Sequence, residues 1–147
     1  MSDNLFIGFK GKNNSSGLLV NSLSSHSCLL INSFEGLKKD IEKIPFDYEK
    51  AYLFGVDKNL HASFRIEQFA ETGGILYPSV LDLEGLAKRF AIYGINAALS
   101  TSPTTYLCNA AYGHLIAKFN GNAVLIHIPT IKHFDRAWIT GIKQILN

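Results

Sequence analysis

The sequence predicts an α/β fold with a mostly parallel sheet covered by helices on both faces. Three observations carry that expectation. Short runs such as Ala51–Val56 and Ala123–Ile128 are apolar almost throughout, as strands buried on both faces are. Segments with apolar residues at helical spacing lie between them, Phe34, Leu37, Ile41 and Ile44 being the clearest case. Breakers and turn residues, among them Pro45, Gly73-Gly74, Gly94 and Gly121-Asn122, separate the segments. Strands alternating with helices in this way build a parallel sheet whose sites lie beyond the carboxyl ends of the strands.

Taken in order, Leu5–Gly8 reads as a first strand, and the polar stretch Gly11–Gly17 as a loop. Leu18–Leu23 is short and apolar, which suits helix and strand equally. Cys28–Ile31 reads as a buried strand. Ser33 caps a helix over Phe34–Ile44 that Pro45 ends. Ala51–Val56 is the next strand, and Val56–His61 a loop. Ser63–Ala70 alternates, with Phe64, Ile66 and Gln68 on one side and Arg65, Glu67 and Phe69 on the other, so it reads as one strand with a mixed face. Asp82 caps a helix with a buried stripe of Leu83, Leu86, Ala87 and Phe90, ending at Gly94. Ile95–Leu99 is a strand that runs into a Ser/Thr/Pro loop and then a helix beginning near Cys108. After the strand that carries His127, a final helix is expected over His133–Leu146, with Phe134, Trp138, Ile142 and Ile145 on one face.

The 147 residues suffice for one domain, 1–147, with a sizeable core. Hydrophobic residues make up 47 % and charged residues 18 %, which excludes a disordered chain. A formal charge of +2 with scattered lysines gives no footprint for nucleic acid. No apolar run approaches the length of a membrane span, and the stretch from Met1 to Ile7 has no basic leader pattern, so a cytoplasmic location is the default expectation. Cys28 and Cys108 make no disulfide framework and have no zinc-ligand spacing, so no metal is expected.

Cys108 is the residue around which chemistry can be built. A cysteine in the first turn of a helix meets free backbone N–H groups and the positive end of the helix dipole. Both favour a thiolate, so a lowered thiol pKa is expected. His127, near the end of another strand, is a candidate base for it. On these grounds alone Cys108 fits a nucleophile or a small buried hydrophobe, and His127 a base or a hydrogen-bonded core residue. Glu67, on a mixed strand face, fits a solvated carboxylate or one paired to Arg65 or a lysine. Cys28 reads as core, and His61, His114 and His133 as surface or capping residues.

Thr105-Tyr106-Leu107-Cys108-Asn109 followed by Tyr112-Gly113 resembles the nucleophile motif of the pyroglutamyl peptidases, or pyrrolidone-carboxylate peptidases. Leu125-Ile126-His127-Ile128-Pro129 resembles the stretch with that family's catalytic histidine, and Arg65–Ala70 the one with its glutamate. Phe6-Ile7-Gly8-Phe9 is similar to the first strand and the start of the substrate loop. The resemblance implies a three-layer α/β/α sandwich, removal of an N-terminal pyroglutamyl or similar small acyl group without metal or cofactor, and a homo-oligomer. It implies Cys108 as nucleophile, His127 as base and Glu67 as the group that orients the imidazole, with Phe9 against the substrate. Three features differ from the family pattern. Lys10-Gly11-Lys12-Asn13 follows Phe9 in place of a second aromatic and a double glycine. Val56-Asp57-Lys58-Asn59 replaces a glutamine with glycines, and the span from Glu67 to Cys108 is shorter. These differences bear on substrate specificity more than on thiol chemistry, and they motivate the alternative of a non-catalytic relative that serves as a binding or assembly module.

Overall fold

The computed structural model describes residues 3–104 and 106–146; Met1, Ser2, Thr105 of the cysteine motif and Asn147 lie outside the described residues. Its strands are β1 (Asn4–Phe9), β2 (Ser27–Leu30), β3 (Lys50–Val56), β4 (Ser63–Glu67), β5 (Phe69–Thr72), β6 (Ile75–Pro78), β7 (Asn96–Ser100) and β8 (Ala123–Ile128). Its helices are α1 (Ser15–Leu23), α2 (Phe34–Glu42), α3 (Leu83–Ile92), α4 (Leu107–Lys118) and α5 (Trp138–Leu146). Six strands form one sheet in the order β2-β1-β3-β8-β4-β7, and β5 and β6 form a separate hairpin. Every pairing in the large sheet is parallel except β4 with β8.

The sheet is the middle of three layers. On one face Phe6, Phe54, Val124 and Ile126 pack with residues of α1, α3 and α5, such as Leu19, Phe90 and Ile142. On the other, Leu5, Ile7, Leu53 and Leu125 pack with residues of α2 and α4, such as Leu37, Tyr112 and Leu115. The near-continuous apolar strands are thus covered on both sides, as their composition requires. Ser33 and Asp82 cap α2 and α3, their side chains accepting the Gly36 and Gly85 amides at 3.0 Å.

The structure corrects three expectations. The stretch Gly11–Gly17 is a loop only in its first half, for α1 starts at Ser15, capped by Asn14. Ser15 and Ser16 are fully buried, because the Ser15 hydroxyl donates to the Pro129 carbonyl at 2.6 Å and the Ser16 hydroxyl accepts the Phe9 amide at 3.0 Å. Gly8 permits this docking, since a Cβ there would lie 2.7 Å from the Ser16 carbonyl oxygen. Second, Ser63–Ala70 is two strands. The chain leaves the sheet at Gln68, whose amide donates to the Ser100 carbonyl at 2.9 Å, and enters the hairpin that turns at Gly73-Gly74. Third, the last helix begins at Trp138. His133 and Phe134 instead donate to the Thr130 carbonyl in a tight turn, and the Trp138 amide finds Asp135.

Candidate functional site

The carboxyl end of β3 and β8 meets the first turn of α4, and three elements deliver side chains there. Cys108 is the second residue of α4, after an extended N-cap at Tyr106 that makes no side-chain capping bond. Among the described residues no capping side chain takes up the early amide groups of the helix. Cys108, Ala111, Tyr112 and Leu115 share the sheet-facing side, at the spacing of a helix stripe.

Gly55 of β3 is what lets the cysteine sit there. A Cβ at this position would stand 2.5 Å from Cys108 Sγ and 3.4 Å from Cδ2 of His127. The sulfur and the ring edge next to Nε2 are thus no farther apart than those two distances end to end. His127 lies in β8 directly beside Gly55 in the parallel register.

On the far side of the imidazole, Glu67 Oε2 lies 2.8 Å from His127 Nδ1. Both residues are buried, with Glu67 1 % and His127 3 % exposed. The same carboxylate oxygen accepts Arg65 Nε at 2.6 Å, and Arg65 Nη1 reaches Asp57 Oδ2 at 2.8 Å. Arg65 Nη2 stands 3.3 Å from Nδ1. Glu67 is ionised, so the shorter contact assigns the proton to Nδ1, donated to Glu67. Nε2 is then left as an acceptor on the cysteine side. Tyr112 supports the strand by donating its hydroxyl to the Glu67 carbonyl at 2.8 Å.

Burial acts to raise the Glu67 carboxyl, but the hydrogen bonds and charges of His127 and Arg65 outweigh it and hold the group below its ordinary 4.5. Asp57 is likewise held below 3.8, its burial outweighed by the Asn59 amide and Arg65. Cys108 behaves oppositely. Burial pushes its thiol up to about 11; the Glu67 and Asp57 charges add to the rise, while Arg65 and the residue's own amide oppose it. The expectation of a lowered thiol pKa is therefore wrong for the resting protein, because burial and two carboxylates overcome the helix start. The resting thiol is neutral, so an attack by Cys108 has to pass its proton to a base as it occurs.

The structure brings Cys108, His127 and Glu67 to one corner. Phe9, at the end of β1, is 4 % exposed in the core cluster on the α2–α4 side that Cys108 also packs against, and its edge lines a cavity of about 340 Å³ with Gly11, Asn14 and Arg136. His61 and His133 stack on each other with ring centroids 4.3 Å apart. His114 lines a different cavity, of about 830 Å³, between the outer side of α4 and the β5–β6 hairpin. Asn109 ties that side together, its amide side chain bonded to both the amide and the carbonyl of Glu71 at 2.8 Å. Cys28 is half-buried and, like Cys108, a free thiol. Among the described residues no group of three or more His, Cys, Asp or Glu is placed to hold a metal ion.

Sequence reasoning passed over Gly55 and Asp57. The signal for Gly55 was a glycine in an otherwise bulky strand, which often marks a close approach. Asp57 had none, being one charge in a polar loop.

No protein-family model matches the chain, and no curated protein matches it. Solved structures do. The chain is similar to the pyrrolidone carboxyl peptidase from Thermococcus litoralis, with a TM-score of 0.76 and 20 % identity over 97 % of this chain and 90 % of that one. The enzyme of the same name from Thermus thermophilus gives 0.77 at 16 % identity, covering 97 % of both chains. That from Fervidobacterium islandicum gives 0.70 at 16 %, covering 99 % of this chain and 97 % of that one. The chain has the pyrrolidone carboxyl peptidase fold.

Proposed function

We propose that this protein is a cysteine amidohydrolase of the pyroglutamyl peptidase type, acting on an N-terminal pyroglutamyl or similar small acyl-amide bond. The observation that carries the reading is the buried Glu67–His127 pair at 2.8 Å, set beside the Cys108 thiol across Gly55. In this reading Cys108 Sγ attacks the acyl carbon while its proton moves to Nε2 of His127. Glu67 holds Nδ1–H and offsets the charge of the imidazolium. The tetrahedral oxyanion lies toward the free amides of the α4 first turn. Nε2 then gives its proton to the leaving amine as the C–N bond breaks, which leaves a thioester on Cys108. Water, deprotonated by His127, attacks the thioester and releases the acid and the thiol. No metal or cofactor takes part. A reducing, cytoplasmic compartment would keep the thiol competent.

The test is turnover of a pyroglutamyl amide reporter together with a panel of other acyl amides. Turnover by the native protein and its loss in Cys108→Ala support the reading; undiminished turnover in that variant excludes Cys108 as nucleophile. The second reading, a non-catalytic binding or assembly module, is favoured by one observation. The 830 Å³ cavity lies outside the Cys108 corner and is bordered by the exposed side chains of Tyr77, Val80 and Tyr106. It expects no turnover with any reporter.

A further inference from the structure

Arg65 stands in the middle of the polar network, and the proposed chemistry leaves it without a role. Glu67 and Arg65 are two apart on β4, so they project from the same face. Arg65 pairs with His127 across the antiparallel register. Its guanidinium forks between Glu67 Oε2 and Asp57 Oδ2, at 2.6 and 2.8 Å. Asp57 is itself fixed: its amide donates to the Ile128 carbonyl at 3.0 Å, and its Oδ1 accepts the Asn59 amide at 2.9 Å.

The load on Glu67 is uneven. Oε2 takes both Arg65 and His127, while Oε1 is buried with no hydrogen-bond partner among the described residues. Among those residues, nothing bonded to Oε1 holds the carboxylate from turning. The fork of Arg65, anchored on Asp57, is what keeps Oε2 on the inner nitrogen of the imidazole. Lysine offers no such planar fork.

We propose that Arg65 is a positioning residue for the Cys108–His127 pair, with Asp57 as its anchor: one guanidinium locks the Glu67 carboxylate and the end of β3 into a single arrangement around the imidazole. The inference rests on the reading that Cys108 and His127 act together. The charged and titratable groups that face the pair are Glu67 and Arg65 from β4 and Asp57 from the end of β3.

The experiment uses the intact protein and its Arg65→Met, Arg65→Lys and Asp57→Asn variants. Iodoacetamide alkylation of Cys108 is followed against pH, with Cys28 as internal control, and the His127 tautomer is read by NMR. Arg65→Met removes the cation that favours the thiolate and leaves two carboxylates that oppose it. Its Cys108 profile moves to higher pH, with alkylation at pH 8 about tenfold slower, the scale of one lost charged hydrogen bond. Its Nδ1–H signal weakens as Glu67 turns. Arg65→Lys recovers only part of both effects, and Asp57→Asn moves the profile to lower pH. A merely structural role would loosen the fold and move Arg65→Met and Asp57→Asn in the same direction, with Cys28 following. Coincident profiles for Arg65→Met and the native protein, with the Nδ1–H signal intact, overturn the proposal. Should Arg65→Met not fold, native behaviour of Arg65→Lys in both readouts overturns it. Lack of turnover on every acyl amide would remove the proposed activity but leave these profiles to judge Arg65.

Discussion

The two sides of α4 differ sharply. The inner side, at Cys108, is small, closed and charged, with Glu67, Arg65, Asp57 and His127 linked by contacts of 2.6 to 3.3 Å. The outer side, at Asn109, Gly113 and His114, borders a cavity of about 830 Å³ beside exposed apolar residues of the hairpin such as Ile75 and Leu76. Volume points to the outer side as a binding place. Chemistry points to the inner side, where burial and charge move the thiol and two carboxylates in opposite directions. A single helix therefore separates the larger cavity from the charged corner.

The largest effect that separates the two sides is expected from Cys108→Ala. Turnover of an acyl-amide reporter should fall by at least about 10³-fold, while circular dichroism and the melting temperature stay near native; a fall confined to stability would place Cys108 in the core instead. Gly55→Ala should come next. The new Cβ would stand 2.5 Å from Sγ, so the cysteine must move, and crowding of this kind costs about 1 to 3 kcal/mol. Denaturant melts and reporter turnover should both decline, and native values of both would show that the thiol does not need the glycine.

How far these features were legible in the sequence depended on their range. The layers, the caps at Ser33 and Asp82 and the strand of Cys108's partner His127 follow from local patterns of apolar spacing and capping chemistry. The start of α1 did not, because Ser15 and Ser16 look like loop residues until Pro129 and Phe9 supply their hydrogen bonds. The reversal of β4 was equally invisible, since alternation in Ser63–Ala70 says nothing of direction. Cys108, His127 and Glu67 stand out in the sequence as residue types in motif context, but their distances do not. The raised thiol pKa was missed because it comes from burial first and then from Glu67 and Asp57, all of which act on Cys108 only through the fold.

A smaller effect is expected on the pH dependence of stability. The folded pKa values of Glu67 and Asp57 lie below their ordinary values of 4.5 and 3.8. Their contribution is complete above those values and is lost as pH falls through the lower folded ones. Melting temperatures should therefore drop below pH 4.5, and Glu67→Gln should flatten that drop; an equally steep profile in the variant would contradict the buried network. The smallest effect is expected on the outer side. Tyr77→Ser should leave reporter turnover within about twofold of native, as surface changes remote from a reacting group do. A large loss would join the two sides into one site.

The central claim is that His127 takes the proton of Cys108 as it attacks. Its most direct test is single-turnover acylation by an activated pyroglutamyl ester, read as added mass on the Cys108 peptide in the native protein and in His127→Ala. The account predicts rapid labelling of native Cys108 and labelling about 10² to 10⁴-fold slower in the variant, the range a positioned base supplies. Equal rates in the two proteins would contradict it.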